Sequence, residues 1–195
     1  MDYDFIEIGT SDFDTLIESA SDMDIGLSIE PVALYLNRLA DKKNVRKVNC
    51  AVGDTNGRVK VYYVSPDDVV RFNLPPWVRG CNSVIGPHPS TYRVLERHGL
   101  LHLMQTIEVD CCNWATLVRR YAIDSVKLLK IDAEGHDCYI VNGILDSGVS
   151  VFPKRISFEN NVLTDKELLS RTLEKLASAG YQKVGEVGED FIFDL

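Results

Sequence analysis

Five short segments of this 195-residue chain place carboxylates, amides or an imidazole directly after apolar runs, where side chains can meet a ligand. They are Glu7-Ile8-Gly9-Thr10-Ser11-Asp12, Glu30-Pro31, Ala51-Val52-Gly53-Asp54, Asp132-Ala133-Glu134-Gly135-His136 and Glu159-Asn160-Asn161. Glu30 is the most interpretable. It stands 21 residues beyond Gly9 at the end of a second apolar run, where a carboxylate can accept both hydroxyls of an adenosine ribose. A solvated carboxylate closing a strand is the bland alternative. The first segment departs from a dinucleotide fingerprint, because G-x-G-x-x-G requires glycines at Ser11 and at Thr15 or its neighbours, and only Gly9 is present. A pyrophosphate needs close backbone approach at a helix N-terminus, so a nicotinamide oxidoreductase is disfavoured. A cofactor with no phosphate, a sulfonium and an amino-acid tail tolerates such a loop, with Glu7 near its ammonium. That describes S-adenosylmethionine.

Were such a cofactor's methyl passed to a hydroxyl, the transfer would gain roughly 10²–10⁴-fold from a base that takes the acceptor proton. The candidates are Asp132, Glu134, His136 and Glu159; we expect Asp132 on the cofactor side and His136 or Glu159 as the base. Asp132, Glu134 and Glu159 could instead hold Mg²⁺, an oxygen-seeking cation. The five cysteines are odd in number and lack any C-x-x-C pair, so they read as small buried side chains in a reducing compartment. His98 and His102 are spaced by four but have no third ligand.

These positions need a scaffold, and hydrophobic spacing supplies one. Residues 3–8 read as a strand; Phe13, Leu16, Ile17 and Ala20 form a helical stripe that Ser11 or Asp12 can cap. Residues 25–29 are a second strand, Pro31 opens a helix carrying Val32, Leu36 and Leu39, and 46–52 are a third strand. Such alternation implies βαβ units and a parallel sheet. A turn at 54–57 leads into 58–64, a short hairpin addition. From 65 to about 105 the periodicity fails among five of the seven prolines, and we expect an irregular insertion acting as a lid or binding loop. Its Trp77 and Arg79 are expected to line an acceptor site. Strands return at 106–109, 126–131 and 155–158, separated by helices near 113–121 and around Ile140-Ile144. Thr164-Asp165-Lys166-Glu167 spells a capping box and Gly180 closes its helix. Residues 181–187 and 190–195, joined by Gly188-Glu189, finish as an antiparallel pair. A single domain over residues 1–195 is expected.

Asp4-Phe-Ile-Glu-Ile-Gly9, Ser28-Ile-Glu-Pro31, Val48-Asn-Cys-Ala-Val-Gly-Asp54 and above all Leu128-Leu-Lys-Ile-Asp-Ala-Glu-Gly-His-Asp137 resemble the FkbM family of S-adenosylmethionine-dependent methyltransferases. The likeness runs in order over about residues 4–160. It implies an α/β class I methyltransferase fold: a Rossmann-like three-layer sandwich around a mostly parallel seven-stranded sheet. The implied strand order is 3-2-1-4-5-7-6, with a C-terminal antiparallel hairpin. It implies cofactor contacts at Glu7, Gly9, Thr10 and Glu30 and around Val52 and Asp132. With these we group their neighbours Ser11, Asp12, Pro31, Ala51 and Glu134. Asn82-Ser83 corresponds loosely to a serine pair in the family's pattern and is expected near the cofactor or acceptor. The family mostly methylates hydroxyl oxygens on sugars or secondary metabolites, so a carbohydrate or small-molecule acceptor is expected. A non-catalytic binding or scaffold module on the same fold is the alternative.

Composition narrows the partners. Against 21 Lys+Arg stand 29 Asp+Glu, a net charge of −8 that disfavours nucleic acid. No apolar run approaches the roughly 20 residues of a membrane span. Met1-Asp-Tyr-Asp lacks the basic start and apolar core of a signal peptide, so a cytoplasmic protein is expected.

Overall fold

The computed structural model describes residues 1–13 and 15–195; Asp14 lies outside the described residues. In chain order the elements begin with β1 (Asp2–Ile8), α1 (Leu16–Ser19), β2 (Gly26–Ile29), α2 (Ala33–Leu36), β3 (Val45–Val48), β4 (Ala51–Val52) and β5 (Gly57–Val64). Then come α3 (Pro66–Arg71), α4 (Pro89–Arg97), β6 (Met104–Cys112), α5 (Trp114–Tyr121), β7 (Ser125–Ile131) and α6 (Asp137–Leu145). The last are β8 (Arg155–Glu159), α7 (Lys166–Ser178), β9 (Gln182–Val187) and β10 (Asp190–Asp194).

Seven strands form one sheet in the order β3-β2-β1-β7-β8-β10-β9. Counting only these strands, the order is 3-2-1-4-5-7-6. The ladders from β3 to β8 are parallel, whereas β10 runs antiparallel to both β8 and β9. The sheet is therefore mixed rather than mostly parallel. The two-residue turn at Gly188-Glu189 obliges β9 and β10 to run oppositely, and β10 then takes the place beside β8. Register sets the site: Ile8 lies opposite both Ile29 and Ile131, so β1, β2 and β7 end level and their following loops converge.

Both faces of the sheet are covered by helices. Phe5 and Val45 pack with Ile17, Leu36 and Leu39 on one face. On the other, Ile6, Ile8, Leu129 and Ile131 pack with Trp114 and Leu117 of α5 and Ile140 and Ile144 of α6. Each such fully buried aliphatic side chain stabilises by roughly 1.5–3 kcal/mol.

Four local expectations are corrected. The strand over 46–52 splits at Asn49-Cys50, where Asn49 Nδ2 donates to the carbonyls of Glu30 and Pro31 and turns the chain out of the first ladder. β4 then joins a second sheet of order β4-β6-β5, in which β5 pairs along its whole length with β6. The stretch from 65 to 105 is ordered rather than irregular. Pro66, Pro76 and Pro89 sit in the first turns of α3, a 3₁₀ turn over Pro76–Arg79 and α4, where a missing N–H costs nothing. Ser65 and His88 supply the caps of α3 and α4. α1 is only one turn long and is not capped by Ser11 or Asp12; Leu16 N–H instead reaches Glu7 Oε2 at 2.9 Å. The cap of α7 is Asp165, one residue later than Thr164, with Oδ1 accepting from Leu168 N–H at 2.7 Å. No helix among the described residues is long and apolar enough to cross a membrane.

Candidate functional site

At the carboxyl ends of β1, β2 and β7 lies a small cavity of about 40 Å³. Gly9, Ser11, Glu30, Asn82 and Asp132 line it together with the apolar side chains of Val52, Val61 and Val84. Gly9 has φ +82, and a Cβ there would lie 1.8 Å from the Asp132 carbonyl oxygen, so no other residue fits. Ser11 is also left-handed, at φ 50. Its N–H donates to Glu30 Oε2 at 2.8 Å, and Val32 N–H donates to Oε1 at 2.8 Å. The carboxylate is thereby held in place while each oxygen keeps a free lone pair. Burial lifts Glu30 to about 7 against these two hydrogen bonds. Asn82 Nδ2 donates to the Arg79 carbonyl at 3.0 Å, and its buried Oδ1 has no partner. His136 forms part of the wall, stacked on Tyr139 at 4.9 Å between centroids. Burial lowers its pKa, opposed by Asp54.

A second cavity of about 290 Å³ is lined by Trp77, His88, Glu134, Glu159, Asn161 and Glu189, among others. Two segments separate the chambers. Gly80 and Asn82 face the first and Cys81 the second; Asp132 and Ala133 face the first and Glu134 the second. Carboxylate oxygens of Asp132, Glu134 and Glu159 lie within 4.8 Å of one another, which places Asp132 at the junction. Asn161 Nδ2 donates to Glu134 Oε2 at 2.8 Å and to Glu159 Oε2 at 2.6 Å. Burial, and after it the charge of Asp132, pushes Glu134 up to about 8 and Glu159 to about 9. Burial raises Asp132 itself to about 6, with Lys130 opposing. Carboxyls this close cannot all ionise at neutral pH, so the group shares protons.

Beneath them Asp137, raised by burial to about 7, accepts from the N–H groups of Ala133, Gly135 and Glu159 and so shapes the 132–136 loop. His88 Nδ1 accepts from Ser90 N–H at 3.2 Å, so the neutral ring carries its proton on Nε2, 3.6 Å from Glu134 Oε2. A protonated Nε2 is not a metal ligand. The grouping of Cys81, His88 and Glu134 therefore suits proton exchange better than metal binding.

The structure brings Gly9, Ser11, Glu30, Pro31, Ala51, Val52, Asn82, Asp132 and His136 to the first cavity and Glu134 and Glu159 to the second. Four other candidates line neither. Glu7, 1% exposed, sits beneath the loop between Lys130 Nζ at 3.2 Å and Leu16 N–H. Thr10 Oγ1 donates to the Ser11 carbonyl. Asp12 pairs with Arg79 at 3.0 Å and Arg38 at 3.7 Å. Ser83 Oγ donates to the Glu134 carbonyl at 2.9 Å, tying the insertion to the 132–136 loop. Arg79 leaves the acceptor side, where Trp77 remains, because its guanidinium is drawn to Asp12. Sequence reasoning missed Val61 and Val84 on the apolar wall and His88 and Glu189 around the carboxylates, and it named Asn161 in the last strand-end segment without giving it a role. Only Asn161, two residues past Glu159, carried a local signal.

A family model for the methyltransferase FkbM domain matches residues 7–183. No curated protein and no solved structure matches the chain significantly. The matched span holds every residue that lines the first cavity and all but Glu189 of those that line the second, and it covers most of the 195 residues. The chain belongs to the FkbM methyltransferase domain family.

Proposed function

We propose that this protein is an S-adenosylmethionine-dependent methyltransferase of the class I (Rossmann-like) fold, acting on a hydroxyl of a sugar or small metabolite. One observation carries the reading: two cavities lie back to back and meet at Asp132. The strand order 3-2-1-4-5-7-6 supports the class. The residues of the first cavity fit the cofactor. Glu30 keeps lone pairs for two ribose hydroxyls, Gly9 lets the β1 and β7 loops close together on the cavity, and the orphaned Asn82 Oδ1 is an acceptor for a ligand donor. The apolar wall of Val52, Val61 and Val84 suits an adenine. Bound there, the cofactor supplies an electrophilic methyl group on a sulfonium.

The chain's own residues do the rest. Glu159 in its ionised form takes the acceptor proton, and Asn161 holds that carboxylate beside Glu134. The Asn161 amide already stands between the two glutamates where a cation would sit, which favours acid–base use over Mg²⁺. Trp77, 42% exposed, offers a face for an acceptor ring. Orientation within a walled pocket contributes the larger share of the rate, since displacement needs its atoms on axis at roughly 3–3.5 Å.

Thermal unfolding with S-adenosylmethionine, its demethylated product S-adenosylhomocysteine, and NAD tests this. Ligand at 100 times its Kd stabilises by roughly 2.7 kcal/mol, a rise of about 5–10 °C for a domain this size. The two sulfur compounds should produce it and NAD should not. No shift at millimolar ligand would replace this reading with the non-catalytic module.

A further inference from the structure

We infer that Arg79 is a positioning residue for the cofactor loop, clamping residues 11–13 from the insertion and thereby setting cofactor affinity. The inference rests on the first cavity being the cofactor site. The loop has one glycine, yet Ser11 adopts the left-handed conformation that an L residue takes at a steric cost. Something outside the loop must hold it. Ser11 Oγ donates to the Arg79 carbonyl at 2.9 Å. The next residue, Asp12, has its side chain only 2% exposed and its Oδ1 3.0 Å from Arg79 Nη1. A carboxylate this deep requires a cation. The following residue, Phe13, lies under the Arg79 guanidinium at 4.9 Å from Cζ to ring centroid. A Cβ on the adjacent Gly80 would come within 3.2 Å of the same ring.

Three successive loop residues thus rest on one arginine. The Arg79 carbonyl also accepts from Asn82 Nδ2, so the same residue joins the loop to the cavity wall formed by Gly80 and Asn82. With Ser11 locked, its N–H stays aimed at Glu30 Oε2 and holds the carboxylate in its ligand-facing position. Arg38, 3.7 Å from Asp12 and paired also with Asp67, braces the loop from the other side but makes no contact with Ser11 or Phe13 among those described. Lysine can supply the charge but not the planar stack on Phe13.

The test compares wild type with Arg79→Ala, Arg79→Lys, Asp12→Asn and the Arg79→Ala/Asp12→Asn pair. It reads S-adenosylhomocysteine Kd by calorimetry and hydrogen exchange at the amides of residues 11–13. Arg79→Ala should raise Kd about tenfold or more, Arg79→Lys should fall between, and the pair should cost no more than Arg79→Ala alone. Exchange at Ser11 should quicken in Arg79→Ala while β1 and β7 keep their protection. Unchanged Ser11 exchange, or quickening spread evenly over the sheet, overturns the clamp. An unchanged Kd in a variant that still binds overturns its effect on affinity. Absence of binding in wild type would fell the cofactor reading instead, and the exchange comparison would still decide the clamp. If Arg79→Ala does not fold, Arg79→Lys and Asp12→Asn carry both measurements.

Discussion

Glu159 ends β8 with Oε2 on the Asn161 amide and Glu134 beside it, both on the lining of the second cavity. Burial and neighbouring negative charge lift Glu159 to about 9, so at neutral pH most molecules hold it protonated. A base in that state gains strength as pH rises. Methyl transfer should therefore increase from pH 7 toward about 9, and Glu159→Gln should lower it roughly 10²–10⁴-fold and flatten the profile. S-adenosylhomocysteine affinity should be preserved in that variant, because Glu159 lines the second cavity. A variant with unaltered turnover would remove Glu159 from the chemistry. Glu30 was legible from its distance to Gly9 along the chain. Asn161 was legible as a strand-end amide but its role was not, since that comes from bonding two carboxylates of which one is 27 positions away.

Elements were read well where one local rule governed them and poorly where side chains were diverted. β1, β7 and α5 carry uninterrupted apolar patterns and stand where periodicity puts them. α7 shows the diversion: Thr164 satisfies the capping pattern, but its Oγ1 accepts from Asn161 N–H at 3.1 Å and the cap passes to Asp165. Asp165→Ala should cost about 1 kcal/mol and lower Tm by about 2–4 °C; an unmoved Tm would place the cap elsewhere. The prolines of the insertion misled for a related reason. Proline ends a helix from inside but begins one at its first turn, and only the caps at Ser65 and His88 tell which applies.

Over the whole molecule, Glu30, Asp132, Glu134, Asp137 and Glu159 converge on one edge of the sheet, each with its pKa raised, burial being the largest cause. In the unfolded chain they lose their protons near pH 4, whereas folded they keep them to higher pH. The native state therefore binds more protons in between, and stability falls as pH climbs through the folded values. His88 and His136, lowered by burial, oppose this only below their ordinary 6.5. Above it, Tm of the ligand-free protein should decline from pH 7 to beyond about 9, where Glu134 and Glu159 titrate, and Glu159→Gln should blunt the decline. A flat Tm across that range would show that these carboxyls are not desolvated. By itself the sequence determined the type and order of most elements, the strand-end positions of the acidic groups and the glycine that turns the chain after β1. Each follows from neighbours within a turn or a strand of the residue concerned. Only the tertiary structure decided which carboxyls crowd together, that β4 and β5 leave the main sheet for a second one with β6, and that the insertion packs on the loop after Gly9. Those outcomes rest on contacts such as Ser11 to Arg79, 68 positions apart, and Ser83 to Glu134, 51 apart. Burial and charge pairing across such separations depend on where the chain has returned in space, which no local pattern encodes.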